Sequence, residues 1–342
     1  MAGRRDRLPP RLARASRGGG GDRGHAAGAA RHGRHPRRGA PRGVRVRATR
    51  DIRSPARDVS GQNFPPQRQE HPGVTSAMRP RPRDEMRDYM GTGLLRSRVA
   101  LVTGGDSGIG RAVAIGFAKE GADVAIAYLE EHEDARHTAE MIEREGRRAL
   151  LLPGDLSTED MCEEAVRRTV DELGRLDIVV NNIAFQEPME RLEDISTEQW
   201  DRTFRTNIYS YFWITRAALP HLHDGAAIIN TSSINGLRGN KSLIDYATTK
   251  GAINAFTYSL AQSLVDRRVR VNAVAPGPVW TPLIPATMSE EKVQRFGEQV
   301  PMQQAAHPDD IAPSFIFFAS ERLSGFYTGE VLAPIGGETL PG

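Results

Sequence analysis

Cysteine is all but missing: Cys162 is the only one in 342 residues. No intrachain disulfide and no cysteine-based zinc cluster can form, no metal site is expected, and the reducing cytoplasm is the expected compartment. No apolar run approaches the roughly 18–20 residues that cross a bilayer, so no membrane-spanning segment is expected. Lysine is scarce, with only Lys119, Lys241, Lys250 and Lys292. Large apolar residues are nearly absent from residues 1–58, which are built from Arg, Gly, Ala and Pro. Such a stretch cannot bury enough surface to offset the entropy of ordering it. It also lacks the apolar stretch of roughly 7–15 residues found in a secretory signal.

Residues 1–50 hold fifteen Arg against Asp6 and Asp22, a net +13, whereas the whole chain carries +3. The remainder is therefore acidic, which disfavours nucleic acid backbone and anionic membrane as partners. An Arg-rich nucleic-acid tail and a targeting peptide are alternatives for 1–58, but a solvated tail without function is the expectation. Translation from near Val59, where a GTG codon can initiate, would leave it out. With 39% hydrophobic residues and 26% charged, the rest of the chain can build a sizeable core.

Residues 59–96 differ again. Phe64-Pro65-Pro66-Gln67 and Met78-Arg79-Pro80-Arg81-Pro82 carry too much proline for a helix or an inner strand. An extended arm over its own or a neighbouring subunit is expected, with a floppy linker as the alternative. From residue 97 onward, short apolar runs alternate with helical periodicity. Strands are expected at 98–103, 123–128, 149–152, 177–181, 226–231, 270–274 and 331–335. Helices are expected at 111–120, 133–145 and 159–173. This alternation predicts an α/β fold: a Rossmann-type, doubly wound parallel sheet of about seven strands covered on both faces, in one domain over 97–342.

The first strand leads into Gly104-Gly105-Asp106-Ser107-Gly108-Ile109-Gly110 and then a helix. Glycines there let the backbone approach a pyrophosphate whose charge sits on the helix N-terminus. Alone, such a turn can be purely structural. Between strand and helix at the start of a domain, it predicts nucleotide binding.

With Thr103 in front, the Gly104-x3-Gly108-x-Gly110 spacing resembles the cofactor turn of the short-chain dehydrogenase/reductase superfamily. The resemblance covers roughly residues 62–342. It is closest to the subgroup of general stress protein 39 and its aldehyde-reductase relatives, through Leu243-Ile244-Asp245-Tyr246 and Gly277-Pro278-Val279-Trp280-Thr281-Pro282. It implies cofactor contacts from Gly104, Asp106, Ser107, Gly108, Ile109 and Gly110. Asp155 with Leu156 would meet the adenine, although Asp155 alone reads as a helix cap. Asn182, in Asn181-Asn182-Ile183-Ala184, would meet the adenosine ribose. Pro276, Gly277, Val279 and Thr281 would hold the nicotinamide carboxamide.

Tyr246 and Lys250 are four residues apart, on one face of a helix. Ser233 precedes Tyr246 by thirteen residues, and Asn207 lies upstream in a helical segment. A Tyr-x-x-x-Lys pair alone is common. The four together match the family's catalytic Asn-Ser-Tyr-Lys tetrad. The resemblance implies that Tyr246 is general acid/base, that Ser233 holds the substrate oxygen and that Asn207 carries a relay water. Lys250 would anchor the nicotinamide ribose and lower the pKa of Tyr246, ordinarily near 10.

An acid at the end of the second strand selects NAD, and an Arg selects NADP. This chain has Tyr128-Leu129-Glu130-Glu131 there, and Ser107 where NADP users often carry a cation. Of NAD and NADP, NAD is therefore expected, with Tyr128 and Glu130 near its ribose. The expected activity is NAD(P)-dependent interconversion of an aldehyde or ketone and an alcohol. Sugar or polyol dehydrogenase is the alternative enzyme, and a non-catalytic dinucleotide sensor the alternative outside enzymes. Residues 282–299 should form a lid, with Phe185, Trp280, Leu283, Ile284 and Phe296 as candidates for an apolar pocket. Helices at 207–218 and 246–265 are apolar on more than one face, so a homotetramer is expected.

Overall fold

The computed structural model describes residues 64–339. The tail at 1–58 and the first arm residues, 59–63, lie outside the described residues. Those described contain one parallel sheet of seven strands. They are β1 (Val99–Thr103), β2 (Asp123–Tyr128), β3 (Ala149–Pro153), β4 (Ile178–Asn181), β5 (Ala227–Thr231), β6 (Arg270–Val274) and β7 (Val331–Leu332). Their order is β3-β2-β1-β4-β5-β6-β7. The connections reverse direction between β1 and β4, which opens a crevice at the carboxyl ends of the strands.

Inner strands β1, β2, β4, β5 and β6 are buried at every residue. That is why they read as continuous apolar runs rather than as alternation. Successive side chains still point to opposite faces. Ala100, Val102, Val124 and Ile126 pack under α1 (Gly108–Lys119), α2 (His132–Arg144) and, from the end of the chain, the helix Pro308–Ala319. Leu101, Ala125, Val179 and Ile228 pack under α3 (Glu159–Leu173) and, further along, the helices Ser210–Ala218 and Ile244–Leu264. Truncating one such residue, for example Leu101→Ala, costs about 2–5 kcal/mol.

Two expected boundaries move by three residues; among the seven strands and the helices expected at 111–120, 133–145 and 159–173, the others move by one at most. Helix α1 begins at Gly108, three residues early, because Ser107 is its extended N-cap. Strand β7 stops at Leu332 rather than 335; Pro334 has no N–H to continue a ladder.

The arm docks on its own chain. Phe64 and Met78 are buried in a cluster with Trp280, Ile284, Val293 and Ala305. The Phe64 ring stacks on Trp280 at 4.1 Å, and Trp280 Nε1 donates to the Pro80 carbonyl at 2.8 Å. Further on, Asp84 meets Arg111 at 3.1 Å, and Arg111 also meets Asp134 at 2.6 Å. Burial raises the Asp84 pKa to about 6, against the pull of the Arg111 charge.

Candidate active site

A cavity of about 420 Å³ lies over the carboxyl ends of the strands. Gly104 follows β1, Tyr128 ends β2, Asp155 and Leu156 follow β3, Asn182 follows β4, Ser233 follows β5 and Pro276 follows β6; all of them line it. So do Asp106, Ser107, Gly108, Ile109, Tyr246, Lys250, Gly277, Val279 and Thr281. Residues 170 positions apart in sequence thus share one wall because parallel strands all deliver their carboxyl ends to the same edge.

The glycine turn fits a dinucleotide. Gly108 has φ +53°, a left-handed conformation, and a Cβ there would stand 3.0 Å from Thr281 Cγ2. A Cβ on Gly110 would stand 1.8 Å from the Gly104 carbonyl oxygen. The first glycine keeps the cavity side open, and the second lets α1 close on the strand end. Gly110 itself is buried and does not line the cavity.

Asn182, on the cavity wall, also braces the glycine turn. Its amide donates to the carbonyls of Thr103 and Gly104 at 3.0 and 3.3 Å, and its backbone N–H donates to Thr103 Oγ1 at 2.8 Å. It ties the end of β4 to the glycine turn.

Helices further along the chain carry the remaining expected residues. Helix α4 (Thr197–Phe204) passes through a π turn at Arg205–Tyr209 into α5 (Ser210–Ala218). Helix α6 (Ile234–Arg238) is capped by Ser233, whose Oγ accepts from Asn235 N at 3.1 Å. Helix α7 (Ile244–Leu264) carries Tyr246 and Lys250. Tyr246 and Ser233 both line the cavity, and the Ser233 hydroxyl pulls the Tyr246 pKa down. Lys250 Nζ donates to the Thr231 carbonyl at 2.7 Å and lies 5.4 Å from the Tyr246 ring centre.

The electrostatics reverse one expectation. Burial pushes the Tyr246 phenol up to about 12, only partly offset by the Ser233 hydroxyl. Burial also pushes the Lys250 amine down to about 7. Desolvation disfavours both charged forms. The ammonium expected to lower the tyrosine pKa is itself held close to neutrality.

Asn207 sits in the π turn, buried and outside the cavity wall. Its amide donates to Phe185 O at 2.9 Å and to Thr249 Oγ1 at 3.1 Å, and its Oδ1 accepts from Phe185 N at 2.7 Å. The side chain therefore pins the loop after β4 to α7.

Like Gly110 and Asn207, Glu130 lines no part of the cavity, and it is exposed. The next residue, Glu131, lines it instead, beside Asp106. Burial, with the Glu131 charge adding to it, raises the Asp106 pKa to about 7.

The segment 282–299, expected as a lid, forms two short helices, α8 (Leu283–Thr287) and α9 (Glu290–Gln294). Phe185, Leu283, Ile284 and Phe296 line the cavity as expected. Trp280 does not; it is fully buried behind this segment against Phe64. Among the residues sequence reasoning missed are His71, Pro72 and Gly73 of the arm, Gln186 after β4 and Arg202 on α4, all lining the cavity. No local pattern marks them, because each reaches the site by tertiary packing alone.

A family model described as enoyl-(acyl carrier protein) reductase matches residues 104–339. General stress protein 39 of Bacillus subtilis (strain 168) is 53% identical over 266 residues, which span 78% of this chain and 93% of that protein. The protein named NADPH-dependent aldehyde reductase 1, chloroplastic, of Arabidopsis thaliana is 46% identical over 275 residues, 79% of this chain and 96% of that one. Among solved structures, a short-chain dehydrogenase from Burkholderia cenocepacia J2315 in complex with NADP superposes with a TM-score of 0.67 at 34% identity. That match covers 71% of this chain and 98% of the other.

Proposed function

The chain belongs to the short-chain dehydrogenase/reductase family of oxidoreductases, and on this footing we propose that it interconverts an aldehyde or ketone and the corresponding alcohol with NAD(P). One observation carries the reading: Tyr246 and Ser233 face the same cavity as Lys250 and the glycine turn.

When bound, the reduced cofactor supplies a hydride to the carbonyl carbon. Tyr246 donates its hydroxyl proton to the carbonyl oxygen. Ser233 donates a hydrogen bond to that oxygen and stabilises the developing alkoxide. With its pKa near 12, Tyr246 is protonated at neutral pH, which suits carbonyl reduction. Lys250 holds the nicotinamide ribose and returns the tyrosine proton. Asn207, its side chain engaged with Phe185 and Thr249, would hold the relay water that links Lys250 to solvent.

NAD(H) is the proposed preference. The cations lining the cavity are His71 if protonated, Arg202, Arg238 and Lys250, none from the end of β2, where Glu131 and Asp106 stand. Carboxylates there serve ribose hydroxyls better than a phosphate dianion.

A homotetramer is proposed from Tyr209 and Phe212 near the start of α5 and Tyr258 on α7, which are 44%, 45% and 42% exposed. Light scattering that gives a monomer at micromolar concentration refutes it.

Replacing Tyr246 tests the chemistry. Tyr246→Phe should lower kcat by roughly 10²–10⁴-fold, far more than it weakens cofactor binding. Near-normal turnover by the purified variant refutes the assignment. A panel of aldehydes, ketones, sugars and polyols separates the aldehyde/ketone reading from the sugar one.

A further inference from the structure

Three groups without a part in the proposed proton transfer meet on the cavity wall. His71 comes from the arm, Phe185 follows β4, and Arg202 lies on α4; all three line the cavity. The His71 and Phe185 rings meet edge to face at 5.4 Å. The Arg202 guanidinium lies over the Phe185 ring, 4.1 Å from its centre.

Stacking uses the flat face of a guanidinium and leaves its in-plane N–H donors free to bind. Of the other cations on the wall, Arg238 pairs with Glu338 at 2.5 Å and Lys250 donates to the Thr231 carbonyl. Among the described residues, no carboxylate forms an ion pair with Arg202. The acids lining the cavity, Asp106, Glu131 and Asp155, come from the ends of β1, β2 and β3. Burial, with the Arg202 charge adding to it and Glu130 opposing, lowers the His71 pKa. A neutral imidazole adds one donor without repelling the guanidinium.

We infer that Arg202, with His71 beside it, forms an anion subsite of this cavity that takes a carboxylate or phosphate group carried by a bound ligand. The inference rests on the cavity being the cofactor and substrate site. The anionic group is placed on the substrate, in keeping with the proposed NAD(H) preference; the adenosine 2′-phosphate of NADP is the other source of the same chemistry, and the test separates the two. Packing over Phe185 accounts for the stacking alone and predicts no preference for anions.

Calorimetry supplies dissociation constants for two matched pairs of probes. The first pair is 4-carboxybenzaldehyde and 4-methylbenzaldehyde, added to protein loaded with oxidised cofactor so that no reduction occurs. The second is NADPH and NADH, added to the free protein. Wild type, Arg202→Gln and Arg202→Lys are compared; Arg202 is exposed, so both variants should keep the fold. Wild type should favour the anionic member of one pair. Arg202→Gln should reduce that preference about tenfold, the worth of one hydrogen bond to a charged group, and Arg202→Lys should retain part of it. A response in the aldehyde pair assigns the group to the substrate, and a response in the cofactor pair assigns it to the 2′-phosphate. No anion preference in wild type for either pair, or an equal change in both members of each pair in Arg202→Gln, overturns the inference. Turnover that survives Tyr246→Phe overturns the reading of the cavity instead.

Discussion

Replacing Phe64 by alanine tests whether the arm is part of the fold. Phe64 precedes the first strand by thirty-five positions, yet it is 1% exposed. Its ring stacks on Trp280 at 4.1 Å and meets Phe296 edge to face at 6.4 Å. Truncating a buried phenylalanine costs about 3–5 kcal/mol, the lost transfer energy plus the cavity left behind. The aromatic pair contributes roughly 0.5–1.5 kcal/mol beyond its area. For a domain of this size, 1 kcal/mol moves Tm by about 2–4 °C. Phe64→Ala should therefore lower Tm by roughly 8–16 °C, taking about 4 kcal/mol as the loss. Met90 is in the same arm but 86% exposed, so Met90→Ala should stay within about 2 °C of wild type. Trp280 adjoins Thr281 and the segment that follows it, so Phe64→Ala should also raise the KM for substrate. Far-UV circular dichroism melts at two protein concentrations read the stability. Phe64→Ala melting within about 2 °C of wild type would refute docking of the arm on the domain.

Three further outcomes follow from the same geometry. Gly110→Ala forces a methyl against the backbone of Gly104, so it should cost about 1–3 kcal/mol of stability and weaken cofactor binding; an unchanged Kd by fluorescence titration contradicts the turn's role. Burial lowers the Lys250 pKa from 10.5 to about 7, so the folded chain binds that proton more weakly than the unfolded chain. The penalty is absent above the unfolded value and complete below the folded one. Lys250→Met should therefore gain stability relative to wild type as the pH falls from about 10.5 to about 7, on the order of a few kcal/mol; a gain independent of pH in thermal melts counts against it. Ser107→Arg adds a guanidinium beside Asp106 and Glu131, and it should move the ratio of kcat/KM toward NADP(H) about tenfold. A wild-type enzyme that already favours NADPH tenfold or more contradicts the proposed NAD preference.

Local chemistry was enough for much of this protein. Strands β2 and β6 and helix α3 fall where the apolar runs and the helical period put them. A parallel strand buried on both faces is apolar along most of its length, its few polar side chains being paired as Arg270 is with the Phe318 carbonyl and Asn272 with the Tyr327 carbonyl, and that pattern is written in consecutive residues. The glycine turn and the Tyr246–Lys250 spacing were equally legible, since a close backbone approach and a shared helix face are local properties. Tertiary structure alone decided the rest. It buried Phe64 against Trp280 and brought His71 to Arg202 across 131 residues of sequence. It exchanged Glu131 for Glu130 at the cavity, a matter of one side chain's direction at a strand end. It also buried Tyr246 and Lys250 together, which pushes the phenol pKa up and the amine pKa down. Desolvation is a sum over everything packed around a group, and no short stretch of chain contains that sum.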